Sequence, residues 1–142
     1  MKAALVEPQL QTKLYDKDAI VRFDEGLIGF SEFKDFVLIE AEEIKPFRLL
    51  QSADSNEIGF LVLDPRFRVV NYFDQIPLRE WEAIDVTSPE KRIAVVIVNI
   101  GLHAHQMTCN FQAPLLVNYE KMTGRQIILT DSGFGIRSPL LD

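Results

Sequence analysis

Residues 92–100, Arg-Ile-Ala-Val-Val-Ile-Val-Asn-Ile, constrain the fold more than any other stretch. Valine and isoleucine are stiff at χ1 and pack well on a pleated surface, so the run favours a β-strand. Its centre, Ile93-Ala-Val-Val-Ile-Val98, contains no polar residue. A half-buried strand would alternate apolar with polar. An unbroken run needs cover on both faces, as in a central or barrel-lining strand. Left open to water it would be an aggregation hazard. It is also far short of the ~20 residues that a membrane-spanning helix requires.

Short apolar runs recur between turn signals on either side of this segment, the pattern of an all-β, mainly antiparallel domain. Strands are expected at 11–15, 19–23, 36–40, 47–52 and 59–64, and again at 107–111, 115–119 and 126–130. Arg22 between Val21 and Phe23 gives the alternation of a half-buried strand. Gly124 is expected in the turn between the last two strands. Ala113-Pro114 should end one pairing and start another, because proline has no N–H and is confined to strand starts, edges and bulges. Helix is the minority. Segment 77–84 opens with Pro77, suited to a first helical turn, and Leu78, Trp81 and Ile84 form one stripe that should face the core. Segment 88–91 reads as a single turn capped by Ser88. In Gly26-Leu-Ile-Gly29 one or both glycines should take positive φ, with Phe23, Leu27, Ile28 and Phe30 packed around the turn. With 142 residues, the whole chain, 1–142, is read as a single compact β-barrel-like domain with a few short helices.

Charge narrows the choice of partner. Residues 1–90 carry 18 acidic and 10 basic side chains, a balance of −8, whereas residues 91–142 carry 3 and 5, a balance of +2. An acidic chain is poorly suited to neutralising phosphates, which argues against direct nucleic-acid binding. The same charge accelerates encounter with a basic partner. The single cysteine, Cys109, permits no internal disulfide and fits a reducing compartment. The first residues hold too short an apolar run for a secretory signal, so a cytoplasmic location without membrane association is expected.

Catalytic and metal chemistry is sparse. His103-Ala-His105 with Cys109 is the one cluster of soft metal ligands, and a structural zinc site would need a fourth ligand that no second cysteine supplies. No native metal site is expected, although the histidine pair could take adventitious metal. Ser132 lies in Asp-Ser-Gly-Phe-Gly, without the strand–turn–helix setting of a nucleophile elbow. Gly26 and Gly29 are too few for a phosphate loop, and no Lys-Ser/Thr follows them. The carboxylates Glu40, Glu42 and Glu43, and Glu80, Glu82 and Asp85, read as solvated faces usable by a partner. No cofactor and no enzymatic activity are implied.

Several segments, in order, resemble one family. Val21-Arg-Phe-Asp-Glu-Gly-Leu-Ile-Gly-Phe30 is similar to the pattern I-x-F-P-E-G-L-P-G-F of the bacterial flagellar assembly factor FliW family, with two prolines replaced by Asp24 and Ile28. Pro46-Phe-Arg-Leu-Leu-Gln-Ser52 and Phe60-Leu-Val-Leu-Asp-Pro65 are also family-like. Met107-Thr-Cys-Asn-Phe-Gln-Ala-Pro114 resembles M-T-x-N-L-x-A-P, with Phe111 for the usual leucine. Gly124-Arg-Gln-Ile-Ile-Leu129 and Arg137-Ser-Pro-Leu140 resemble the family's C-terminal end. The resemblance implies a non-enzymatic adaptor. Members of the family bind CsrA, a small mRNA-binding translational repressor, and relieve its repression of flagellin synthesis. They also bind flagellin, and the two partners compete.

On this reading the candidate partner-binding residues are Glu40, Glu42, Glu43, Gln51, Asp54, Glu57, Asn110, Gln112 and Pro114. The acids would steer a basic partner, and the amides of Asn110 and Gln112 could meet a partner's backbone. Two other readings stand beside it. One is a small-ligand-binding or enzymatic β-barrel domain that uses the barrel mouth as a pocket. The other is a direct RNA-binding barrel, opposed by the acidic charge.

Overall fold

The computed structural model describes residues 19–101, 106–130 and 132–140. Strands β1 (Ile20–Phe23), β2 (Asp35–Ile39), β3 (Arg48–Ser52) and β4 (Gly59–Leu63) form an antiparallel meander. The apolar run supplies β5 (Ile93–Asn99), which pairs with β4 through Val62↔Ile97 and Leu63↔Val96. β6 (Thr108–Cys109) pairs with the far half of β5, whereas β7 (Leu115–Asn118) pairs with its near half. β8 (Thr123–Gln126) joins β7 and closes the ring against β1, and β9 (Ser138–Pro139) extends β6.

The closed ring runs β4-β3-β2-β1-β8-β7-β5 and back to β4, with β6 and β9 as a side branch. Among the described residues every pairing is antiparallel except β1–β8, where Arg22 faces Thr123 and Phe23 faces Gly124 in parallel. Strand direction cannot alternate all the way round an odd-numbered ring. One parallel joint is therefore a geometric necessity of seven strands.

Two cores explain the unbroken apolar run. Inside the barrel, Val21, Phe23, Leu27, Phe36, Leu50, Phe60, Val62, Val95, Leu115 and Val117 pack together. Outside it, Ala94, Val96 and Val98 of β5 meet a second cluster that includes Tyr72, Ile76, Trp81, Ile84 and Val86 from segment 64–92. β5 thus lies between two apolar layers, and Val96 has 0% exposure. Burying a Val or Leu side chain stabilises by about 1.5–3 kcal/mol, which makes this sandwiched strand the energetic centre. The buried Tyr72 hydroxyl donates to the Phe111 carbonyl, and the Arg92 guanidinium lies 5.6 Å from the Trp81 ring centroid.

Expected strands 19–23, 47–52, 59–64, 92–100 and 115–119 appear with their ends trimmed by a residue or so, and 36–40 appears shifted by one residue as Asp35–Ile39. Segment 107–111 shortens to Thr108–Cys109. Residues 11–15 lie outside the described residues. As expected, Ala113-Pro114 separates two pairings, for β6 ends before it and β7 begins at Leu115.

Four details differ from the sequence reading. β8 is Thr123–Gln126, not 126–130, and Gly124 lies in the strand rather than in a turn. The reason is steric: a Cβ on Gly124 would come 2.5 Å from the Phe23 ring across the parallel joint. The turn is instead made by residues 119–122, with Met122 at φ 55°. Next, helix α1 (Leu78–Glu82) is short, Pro77 precedes it at the cap, and Leu78 is exposed while Trp81 and Ile84 are buried. The chain leaves the helix through Asp85 at φ 62°, so the stripe spans too few turns to align Leu78 with the core. Ser88 precedes the Pro89–Lys91 turn but its side chain makes no capping hydrogen bond. Finally, Ile28 points outward rather than into the turn's core.

Candidate interaction surface

The loop after β1 closes one end of the barrel. Gly26 and Gly29 take φ 68° and 85°, the left-handed conformations that glycine adopts without a Cβ penalty. Leu27 and Phe30 form a bridge between them, with Phe30 N–H donating to the Leu27 carbonyl at 2.8 Å. Leu27 therefore drops into the barrel core, and Phe30 stacks edge-on against Phe60 at 5.1 Å. Ile28, at the apex, is left 60% exposed. The β3–β4 hairpin packs beside this plug: Ala53 N–H donates to the Asp35 carbonyl at 2.8 Å.

One side chain ties the plug to two other family-like segments. Gln126, at the end of β8, accepts from Ile28 N–H through Oε1 at 2.8 Å. Its Nε2 donates to the Ala113 carbonyl at 3.1 Å. Beyond it the backbone still follows the 112–114 segment, with Ile127 N–H on Pro114 O at 3.0 Å and Leu129 N–H on Gln112 O at 2.7 Å. Pro114 cannot return a bond, so regular pairing stops there. Ile127 and Leu129 turn into the outer core, which leaves Ile128 on the Gln126 side, 56% exposed.

Charge at this end is one-sided. Residues 24–35 and 53–58 hold six carboxylates and one lysine. Arg22 pairs with Asp24 at 3.4 Å and Asp35 at 3.2 Å, and Arg125 reaches Glu25 at 3.9 Å. Glu32, Asp54 and Glu57 are exposed and enter no ion pair among the described residues.

The opposite end carries a different surface. Glu40, Lys45, Pro46, Phe47, Arg48 and Phe67 line an open cleft of about 460 Å³, and Phe67 is 63% exposed. Two acids at this end are paired, Glu40 at 3.5 Å from Arg48 and Glu42 at 2.6 Å from Lys45, whereas Glu43 is exposed and enters no ion pair among the described residues.

The expected contact residues do not form one patch. Asp54 and Glu57 lie at the plug end, whereas Glu40, Glu42 and Glu43 lie at the other end of β3, about 13 Å away at ~3.3 Å per residue. Asn110 and Gln112 are half-buried beside the plug, and Asn110 Oδ1 accepts from Gln112 N–H at 3.2 Å. Pro114 is buried and acts through its carbonyl. Gln51 has 0% exposure, and its Nε2 donates to the carbonyls of Ser52, Ser55 and Ile58 at 2.9–3.1 Å. In this structure it holds the β3–β4 hairpin and has no surface to offer a partner. Gln126, Ile28 and Ile128 were not among the expected residues. The outward placement of Ile28 depends on the glycine turn, which local hydrophobicity does not reveal.

The reactive groups considered from the sequence have structural roles. Cys109 is buried in β6, and burial pushes its thiol up to about 11, so it stays protonated near neutrality. Ser132 Oγ donates to the Leu129 carbonyl at 3.0 Å and accepts from Phe134 N–H. His103 and His105 lie outside the described residues. Among the described residues no group of three His, Cys, Asp or Glu side chains could hold a metal ion, and no helix is long and apolar enough to cross a membrane.

The profile of the family described as "FliW protein" matches residues 6–140. The chain is 33% identical over 131 residues to a flagellar assembly factor FliW of Clostridium beijerinckii, covering 89% of this chain and 90% of that one. It is 34% identical over 140 residues to a flagellar assembly factor FliW of Leptospira interrogans, covering 94% and 93%. A crystal structure of the flagellar assembly factor FliW superposes with a TM-score of 0.82 at 30% identity, covering 90% of this chain and 89% of that one. The odd-stranded barrel, the glycine plug and the near-complete match in sequence and structure agree: the chain belongs to the FliW family of flagellar assembly factors.

Proposed function

We propose that this protein is a cytoplasmic adaptor in flagellar assembly that binds the mRNA-binding repressor CsrA, lifts its repression of flagellin synthesis, and binds flagellin in competition with it. Membership of the FliW family over nearly the whole chain is the observation that carries this reading. The adaptor works by mutually exclusive protein–protein contacts and catalyses no reaction. Support for that comes from the interior: the plug fills the barrel mouth with Leu27, and the only thiol is buried. A ligand pocket of the barrel-mouth kind would need that space. The acidic surface suits a protein that handles RNA, since such a partner is basic.

Titration calorimetry of this protein with purified CsrA and, separately, with purified flagellin from the same bacterium tests the proposal. Saturable binding of both is expected. Failure to bind either would overturn it.

A further inference from the structure

We infer that the plug end of the barrel is the docking surface for the basic partner, with Ile28 and Ile128 as apolar anchors and Glu32, Asp54 and Glu57 as the charge that selects it. The assignment rests on the adaptor reading above and narrows it to one surface.

Three observations converge on this end. Ile28 and Ile128 are 60% and 56% exposed; the Ile28 backbone is held by Gln126 Oε1 at 2.8 Å, and Ile128 lies two residues beyond Gln126 in the chain. Exposed apolar side chains beside unpaired acids offer a basic partner both charge and apolar area to bury, and the fixed Ile28 backbone lowers the ordering cost of burying its side chain. Glu32, Asp54 and Glu57 surround this end and have no cation of their own among the described residues. Their field is therefore available to an incoming basic segment. At Gly29 an added Cβ would meet nothing within 4 Å, so the crest of the loop is open to close approach by another backbone.

The cleft at the opposite end is the natural rival, since it exposes Phe67 and encloses about 460 Å³. Its charge selects a basic partner less strongly. Glu40 and Glu42 are already engaged with Arg48 and Lys45 at 3.5 and 2.6 Å, so a partner's cation would have to displace one that is already there. That leaves Glu43 as the exposed acid without an ion pair at this end among the described residues, against three at the plug end. Charge complementarity therefore favours the plug end.

Kinetic binding of purified CsrA separates the possibilities. Four proteins are compared: wild type, Ile28→Arg with Ile128→Arg, Glu32→Lys with Asp54→Lys and Glu57→Lys, and Phe67→Arg. All the altered side chains are exposed, so folding should persist, and circular dichroism and urea midpoints check this. The isoleucine pair variant should bind at least about tenfold more weakly, mostly through faster dissociation, as truncated or charged anchors do. The triple lysine variant should associate more slowly and lose the salt dependence of the wild-type on-rate, because steering is screened over about 10 Å at 0.1 M salt. Phe67→Arg should bind as wild type. Wild-type binding that survives both plug-end changes, or is lost with Phe67→Arg alone, overturns the assignment and leaves the adaptor reading standing. So does loss of flagellin binding with CsrA binding retained in the isoleucine variant, or a wild-type dimer that the isoleucine variant dissolves. Wild-type protein that binds no CsrA overturns the adaptor reading, and the assignment with it.

Discussion

Gly26 is the residue on which the barrel's closed end turns. It sits at φ 68°, and a Cβ there would come 2.6 Å from the Ser31 Cα and carbonyl oxygen. Left-handed backbone costs a residue with a Cβ about 1–2 kcal/mol, and a clash with backbone atoms adds to that. Gly26→Ala should therefore lower stability by more than about 2 kcal/mol, read from the urea midpoint. An unchanged midpoint would contradict the described turn. Cys109 gives a second test at this scale. Its thiol titrates at an ordinary 9.0 when free and is pushed up to about 11 by burial. The folded state then holds the proton more tightly than the unfolded state. The resulting stability is fully present below about pH 9 and is lost as pH rises through about 11. Urea midpoints of wild type and Cys109→Ala, taken at about pH 8 and about pH 10.5, should show a larger alkaline drop in wild type. Equal drops would mean that the thiol is not buried as described.

Elements differed in how far the sequence revealed them. β5 was legible because six consecutive apolar residues leave few options, and its two-sided burial followed from the absence of alternation. The source of the outer cover was legible in part: the 77–84 stripe was expected to bring Trp81 and Ile84 to the core, and it does, whereas Tyr72 enters through a short turn with no period of its own. β8 was misplaced because Ile127, Ile128 and Leu129 look more strand-like than Thr123 and Gly124. Regular pairing is decided there by Pro114, which lacks an N–H, and by the room Phe23 needs above Gly124. The acids were legible as charges, but their division between two barrel ends depends on the direction of β3, which only the topology supplies. Val96, fully buried between the layers, gives the direct test of β5. Val96→Asp would strand a carboxylate among apolar side chains and should cost upwards of about 4 kcal/mol, enough to leave the chain largely unfolded by circular dichroism. A folded Val96→Asp protein with near-native stability would refute the two-core arrangement.

At the scale of the whole molecule, the odd-stranded ring produces a barrel with two unlike ends. One is closed by a glycine turn and carries three acids unpaired among the described residues, with exposed isoleucines; the other has an aromatic cleft where Glu40 and Glu42 are internally paired. Its interior is filled with side chains, so the surfaces that remain for function are outer ones. The proposed adaptor, switching between a repressor and the product of the repressed message, would need such surfaces, together with a rule that both partners cannot be held at once. The rule is the central claim. It is tested most directly by loading this protein with labelled CsrA, adding increasing flagellin, and following the label by fluorescence anisotropy. The account predicts that anisotropy falls to the value of free CsrA, at flagellin concentrations set by the two separate affinities. A signal that holds or rises as flagellin joins a three-protein complex would contradict it.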